Sequence, residues 1–421
     1  MKNRLLSLDV LRGLTIMLMT IVNNPGSWEH VYPPLLHAEW HGCTPTDLVF
    51  PTFLFIVGIT TVLSTPRRVL TSGTFQRLLT RALRIFSLGL FLNFFSKITF
   101  FGLTGLPLLG IRLALTALVV VALFGEYDKK RQLYVALGIF ALMMLLAFGG
   151  FEAYSTVRIP GVLQRIALVY LLVSLLYLTT STATQVLMGV AILLIYWALM
   201  TLVPVPGFGP ANLDKGINLA AWLDNLLLPG HLWSVSKTWD PEGLLSTLPA
   251  VATGIAGLLT GTLLQSTLSK NQKTAYLLAA ALGGIALGWL WGTVFPINKA
   301  LWTSSYVLYA AGLALLVLGT LYWIIDLRGY TRWTLPFVIF GLNPIVVFFF
   351  SGVIPRVLGS IQVPSPAQPE SVSLQSYLYD FRLVPHFSNP LQASLAWALL
   401  YLLFWFVILY VLYRRRLVFK V

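Results

Sequence analysis

Apolar runs long enough to cross a bilayer recur twelve times along this chain. They lie at about 8–24, 46–64, 78–98, 107–125, 132–150, 161–179, 184–203, 245–265, 274–294, 302–325, 334–356 and 393–413. Roughly 20 apolar residues span a hydrocarbon core as a helix, and lipid leaves no backbone polar group a partner outside the segment. The pattern predicts an all-α polytopic integral membrane helix bundle of about 12 transmembrane helices. Composition agrees: 57% of the 421 residues are hydrophobic and only 10% are charged, against roughly 25% in soluble domains. The start, MKNRLLSLDVLRGLTIMLMT, resembles a signal peptide, but Asp9 and Arg12 interrupt its apolar stretch and no small-x-small site follows. It reads as an uncleaved first span.

Basic residues orient the spans. Lys2 and Arg4 precede the first; Arg67, Arg68 and Arg77 separate the second and third; Lys129, Lys130 and Arg131 separate the fourth and fifth. Lys270 and Lys273, then Arg328 and Arg332, then Arg414, Arg415, Arg416 and Lys420 follow. With twelve spans all fall on one side, which the positive-inside rule makes cytoplasmic, together with both termini. The same clustering accounts for the net charge of +14 without a nucleic-acid partner. The single cysteine, Cys43, excludes an intramolecular disulfide and a cysteine-rich metal site.

The opposite side receives the unusual chemistry. The 25–45 loop has no Lys or Arg but holds His30, His37, Glu39 and His41, and Asp47 follows at the mouth of the second span. Gln164 and Arg165 lie one turn into the sixth span. Asp240 and Glu242 follow Trp239 before the eighth, and Asn298, Lys299 and Trp302 precede the tenth. Ionisable groups at span mouths are costly to desolvate and are functional candidates by default. On the other side Asp9 and Arg12 share a helix face, Arg77, Arg81 and Arg84 repeat at helical spacing, and Asn343 before Pro344 interrupts the eleventh span. The chain lacks a G-x-x-x-x-G-K-[ST] loop, a G-x-S-x-G elbow and H-E-x-x-H, which argues against an ATP-driven pump, a serine hydrolase and a zincin.

The segments RLLSLDVLRGLTIMLMTIVNNPG, HAEWHGCTPTDLVFPTFLFIVG, RIPGVLQR, WDPEGLLSTLPA, PINKALW and FGLNP stand in this order. Together they resemble the successive motifs of the heparan-α-glucosaminide N-acetyltransferase family. The resemblance implies one transmembrane acyltransferase domain over 1–421, with core motifs at 5–58, 158–170, 239–250, 295–306 and 340–344. A probable extra helix pair lies at about 105–150. It implies acetyl-CoA as acyl donor and no metal. Catalysis would fall to His37, in the HAxWxG motif, with Asp47 of DLVFP. The absence of a large domain ahead of the first motif resembles the bacterial members. The expectation is then an inner-membrane protein, its histidine periplasmic, acetylating a small-molecule amino sugar or an envelope glycan. A homodimer is compatible with the resemblance.

Each candidate also has a plainer reading. His37 is the general base or, through an acetyl-imidazole, the nucleophile; otherwise it is a loop histidine. Asp47 orients it or caps the second span, and the two roles are compatible. Asn23 matches the family's asparagine at the end of the first core span. Gln164 and Arg165 would clamp substrate or the donor's pantetheine amides, or bond between helices. Trp239, Asp240, Glu242, Asn298, Lys299 and Trp302 would bind the acceptor, although Trp also marks membrane interfaces. Arg12, Arg81 and Arg84, with Asn343, would hold the donor at the basic face, where positive-inside placement is the plainer account. A zinc site at His37 and His41 would need a helix through proline-flanked sequence, so none is expected. The rival function is a multi-span transporter of amino sugars or N-acetylated sugars, whose site would lie near the midplane at interrupted helices.

Overall fold

The computed structural model describes residues 5–65, 68–365 and 370–419. Lys2, Arg4, Arg67 and Lys420, four of the orienting basic residues, lie outside the described residues. The helices are α1 (Leu6–Val22), α2 (Val49–Ser64), α3 (Ser72–Phe95), α4 (Gly105–Phe124), α5 (Lys129–Phe148), α6 (Val162–Thr179), α7 (Thr182–Leu202) and α8 (Leu219–Leu227). They continue with α9 (Thr247–Gln265), α10 (Lys270–Trp291), α11 (Ser304–Leu321, prolonged by a π turn over Tyr322–Leu327), α12 (Leu335–Leu342) and α13 (Pro344–Ser360). A two-residue ribbon and a short turn, α14 (Leu374–Ser376), precede α15 (Pro390–Arg414).

Among the described residues ten helices are long and apolar enough to cross a membrane. α12 and α13, bent by 77° at their junction, make an eleventh crossing if they act as one. α1, at 17 residues or about 26 Å, occupies the first expected span. The bend has a chemical cause. Pro344 removes an N–H and clashes with the preceding turn, and Asn343 leaves helical geometry at φ −124°, ψ 51°.

Contacts at the chain's ends sort the loops into two faces. Arg12 near the start of α1 donates to Gly341 O, and Asn343 beside it bonds Leu417 beyond α15. At the other face Gly26 and Ser27, after α1, bond Ser394 at the start of α15. The first is the basic face. The second carries the 25–45 loop and is the His37 face. α2, which holds Asp47 at its entry, is locked against α9 by small residues. A methyl at Gly58 would sit 2.1 Å from Gly254 O, and one at Gly257 would sit 2.1 Å from Phe55 O. Such close backbone approach replaces the missing hydrophobic drive inside lipid. α1 meets α12 in the same way, through Gly13 against Phe337 O and Gly341 against Asp9 O.

Candidate active site

The site begins with a helix entry. Thr44 and Asp47 form a reciprocal capping box around the 3₁₀ turn Pro45–Leu48 that leads into α2. Asp47 Oδ2 accepts the N–H groups of Ala38 (3.1 Å) and Thr44 (3.0 Å). Oδ1 lies 2.7 Å from His37 Nδ1. The His37 side chain is 53% exposed and that of Asp47 1%. An ionised carboxylate only accepts, so Nδ1 carries the hydrogen, and in the neutral ring Nε2 holds the lone pair. That is the arrangement of a general base with its orienting carboxylate. Cys43 lies just upstream; burial first, and then Asp47, push its thiol up to about 12, so it stays protonated and unreactive.

Beneath the pair lies an aromatic and cationic layer. The Tyr306 hydroxyl donates to Asp47 O at 2.5 Å. Trp302, in the left-handed region at φ 55°, packs edge-on against Phe50 and Tyr306 and donates Nε1–H to Thr253. The Arg165 guanidinium sits 5.1 Å from the Trp302 ring centroid. It donates to Gly243 O (3.0 Å) and Ser246 Oγ (2.5 Å), while Nε and Nη1 are buried without a partner. Gln164 Nε2 is likewise buried and unpartnered.

Beside this layer the long loops are tied by charge. Arg158 grips Asp240 with two bonds (2.8 and 2.6 Å) and Glu242 with a third (2.5 Å), and Lys299 stands 3.9 Å from Glu242. Burial alone would raise the Glu242 carboxyl, but Lys299, Arg158 and Arg165 outweigh it and hold it below its ordinary value. Burial likewise disfavours the Arg158 cation, but its two carboxylates outweigh that and raise it. Asp224, on α8, accepts N–H groups of Leu244 and Asp240, and burial pushes it up to about 7. Asn298 accepts from Leu301 N (2.9 Å) and meets His41 at 3.3 Å, while Gly42 N–H donates to Ile297 O.

Two cavities open from the basic face. A vestibule of about 830 Å³ is lined by Arg77, Arg81, Arg84, Lys129, Gln76 and Gln132, among others. A more apolar shaft of about 540 Å³ runs between α1, α2, α3, α6 and the α12–α13 bend. Ser64, Arg81 and Tyr170 line both, with Arg81 over the Tyr170 ring at 4.7 Å. The shaft reaches Phe53 and Leu163, and Phe53 is six residues, or about 9 Å, along the chain's helical path from Asp47.

Comparison with known proteins agrees with the motif order. The family model described as heparan-alpha-glucosaminide N-acetyltransferase, catalytic, matches residues 4–151. The heparan-alpha-glucosaminide N-acetyltransferase of Mus musculus is 28% identical over 471 aligned positions, covering 100% of this chain and 61% of its own length. That of Homo sapiens is 27% identical, covering 99% and 60%. The chain is similar to these heparan-alpha-glucosaminide N-acetyltransferases along its whole length. It spans about three fifths of the length of these curated relatives.

In the structure the sequence-derived residues separate into groups. His37 and Asp47 meet directly; Arg165 and Trp302 stack behind them. Asp240 and Glu242, expected to bind acceptor, are buried and engaged by Arg158, and Asn298 is spent on its own loop and His41. Those contacts tie these side chains into the wall of the site. Trp239 is also buried, edge-on to Trp40 and Trp233. Asn23 stands in a separate small cleft with Trp28, Gln375 and Tyr401. Arg12, Arg81 and Arg84 do line the shaft and vestibule, with Arg12 also paired to Asp9 at 3.1 Å. Asn343 lies at the bend but its amide bonds the backbone of Leu417 and Phe419. Sequence reasoning missed Arg158, Asp224 and Tyr306. Only Arg158 had a signal, as the one cation in the loop just before RIPGVLQR's helix, with two unclaimed carboxylates in WDPEG.

Proposed function

We propose that this chain is an acetyl-CoA-dependent N-acetyltransferase that carries an acetyl group from the basic face to an amine at the His37 face. The acceptor is an amino sugar or an envelope glycan, and the His37 face is the periplasmic side of a bacterial inner membrane. The observation that carries this reading is the His37–Asp47 pair at one face and a cation-lined vestibule leading into a narrow shaft from the other. Phosphates of the donor suit Arg77, Arg81, Arg84 and Lys129; its slender pantetheine arm suits the shaft.

Asp47 fixes the His37 tautomer, so Nε2 takes the proton as the amine attacks the thioester carbonyl. A carbon–nitrogen bond forms and the carbon–sulfur bond breaks. The departing thiolate recovers a proton from the imidazolium, which Asp47 stabilises meanwhile. Buried Arg165, with two unpartnered nitrogens near Trp302, supplies positive potential behind the reacting groups. Direct attack requires donor and acceptor together, whereas an acetyl-His37 route would release coenzyme A first. The test is acetyl transfer to glucosamine by the purified chain. His37→Ala should abolish it with coenzyme A binding retained; transfer surviving in that variant overturns the mechanism. Release of coenzyme A before acceptor is added, with label left on His37, selects the acetyl-enzyme route.

A further inference from the structure

Beyond α15 the chain turns back under the bundle. Arg416 adopts the left-handed region at φ 57°, uncommon for a non-glycine residue, and Leu417 N–H reaches back to Leu412 O at 2.9 Å. Residues 417–419 then run to the bend between α12 and α13. Buried Asn343 accepts Phe419 N–H at 2.8 Å and donates to Leu417 O at 3.2 Å. Val418 and Phe419 form part of the shaft wall. The Phe419 ring meets Phe124 edge-on with centroids 6.3 Å apart, and Phe124 belongs to the vestibule wall. The segment therefore joins the two cavities' walls where they adjoin.

We propose that residues 415–419 are a movable strap that closes the passage between vestibule and shaft. It lifts to admit the donor's arm and to release the thiol product, a role that rests on the transferase reading above. Two features make it movable. Leu417, Val418 and Phe419 remain 44%, 43% and 42% exposed, so little apolar burial holds them. Its polar hold on the bend is the Asn343 amide, to which the strap offers one N–H and one C=O. Each amide of a pantetheine arm offers the same pair, so strap and donor compete for Asn343.

The experiment uses the full chain in detergent with Cys43→Ser as background. In one arm Thr60→Cys, which lies in the shaft wall, is labelled with a bulky hydrophilic maleimide. Stopping the chain after Arg414 should raise the labelling rate about tenfold or more, as the closed state is removed. In the second arm Phe124→Cys and Phe419→Cys are bridged by a short bis-maleimide, and coenzyme A binding is measured by calorimetry. Bridging should weaken binding about tenfold or more relative to the unbridged pair. Unchanged labelling after truncation, or unchanged binding after bridging, overturns the strap. If truncation prevents folding, the bridged pair decides. If no form of the chain binds coenzyme A while labelling responds to truncation, the strap stands and the transferase reading fails.

Discussion

The two faces of the bundle satisfy charge by different means. At the His37 face Arg158 and Lys299 are matched to Asp240 and Glu242 inside folded loops. At the basic face Arg12 pairs with Asp9, but other cations turn to main-chain carbonyls: Arg68 to Tyr177 and Thr180, Arg84 to Gly125, Lys270 to Asp326 and Lys273 to Leu264. Helix C-termini carry the negative end of the dipole, so a cation there is satisfied without a carboxylate. It keeps its net charge for a second anion. The comparison separates charges that hold the fold from charges that can be lent to a ligand.

Breaking the comparison at its most sensitive point means changing the base. His37→Ala should lower the acetyl-transfer rate by roughly 10²–10⁴ while coenzyme A binding and unfolding temperature stay near their starting values. A fall in the unfolding temperature of similar severity would mean that the pair serves the fold alone. Next, Arg158→Ala leaves two buried carboxylates without their cation. It should destabilise the protein by about 3–5 kcal/mol, seen as a large drop in thermal unfolding temperature in detergent. If the acceptor KM rises instead and unfolding is unmoved, the knot is a binding device and the contrast between the faces fails. Arg81→Gln should do the reverse: about a tenfold rise in KM for acetyl-CoA, little change in unfolding, and none in acceptor KM.

The smallest effect is a slope. Asp224 binds its proton more tightly in the fold, with a value of about 7 against 3.8 for an ordinary Asp. Its contribution is fully present below 3.8 and is lost as pH rises through about 7, so stability should decline across that window and level off above it. Asp224→Asn should flatten this decline in unfolding curves; an unchanged slope would assign the pH dependence elsewhere.

The fold was legible because lipid enforces it. Each apolar run had to be helical, and Pro344 marked the bend. α8 was not legible: LAAWLDNLL is too short to announce a span and packs within a loop that reads as irregular. The His37–Asp47 contact was half legible. A spacing of ten fits no helix face, yet Asp47 as a capping residue fixed one partner, and the motif order pointed to the other. The Arg158 knot was hidden because its carboxylates lie 82 and 84 residues away. The strap was hidden for another reason: RRRLVF reads as an ordinary basic tail, and nothing local says that it turns back.

Asp47 divides its two oxygens between tasks: one seats the entry of α2, and the other faces His37. A saturation-mutagenesis screen scored by expression alone should therefore rank Asp47 as intolerant and His37, half in solvent, as permissive. The same library scored by acetyl transfer should reject changes at both. The two score maps would disagree at His37 and agree at Asp47. That pattern would mark where architecture ends and chemistry begins without any bound ligand.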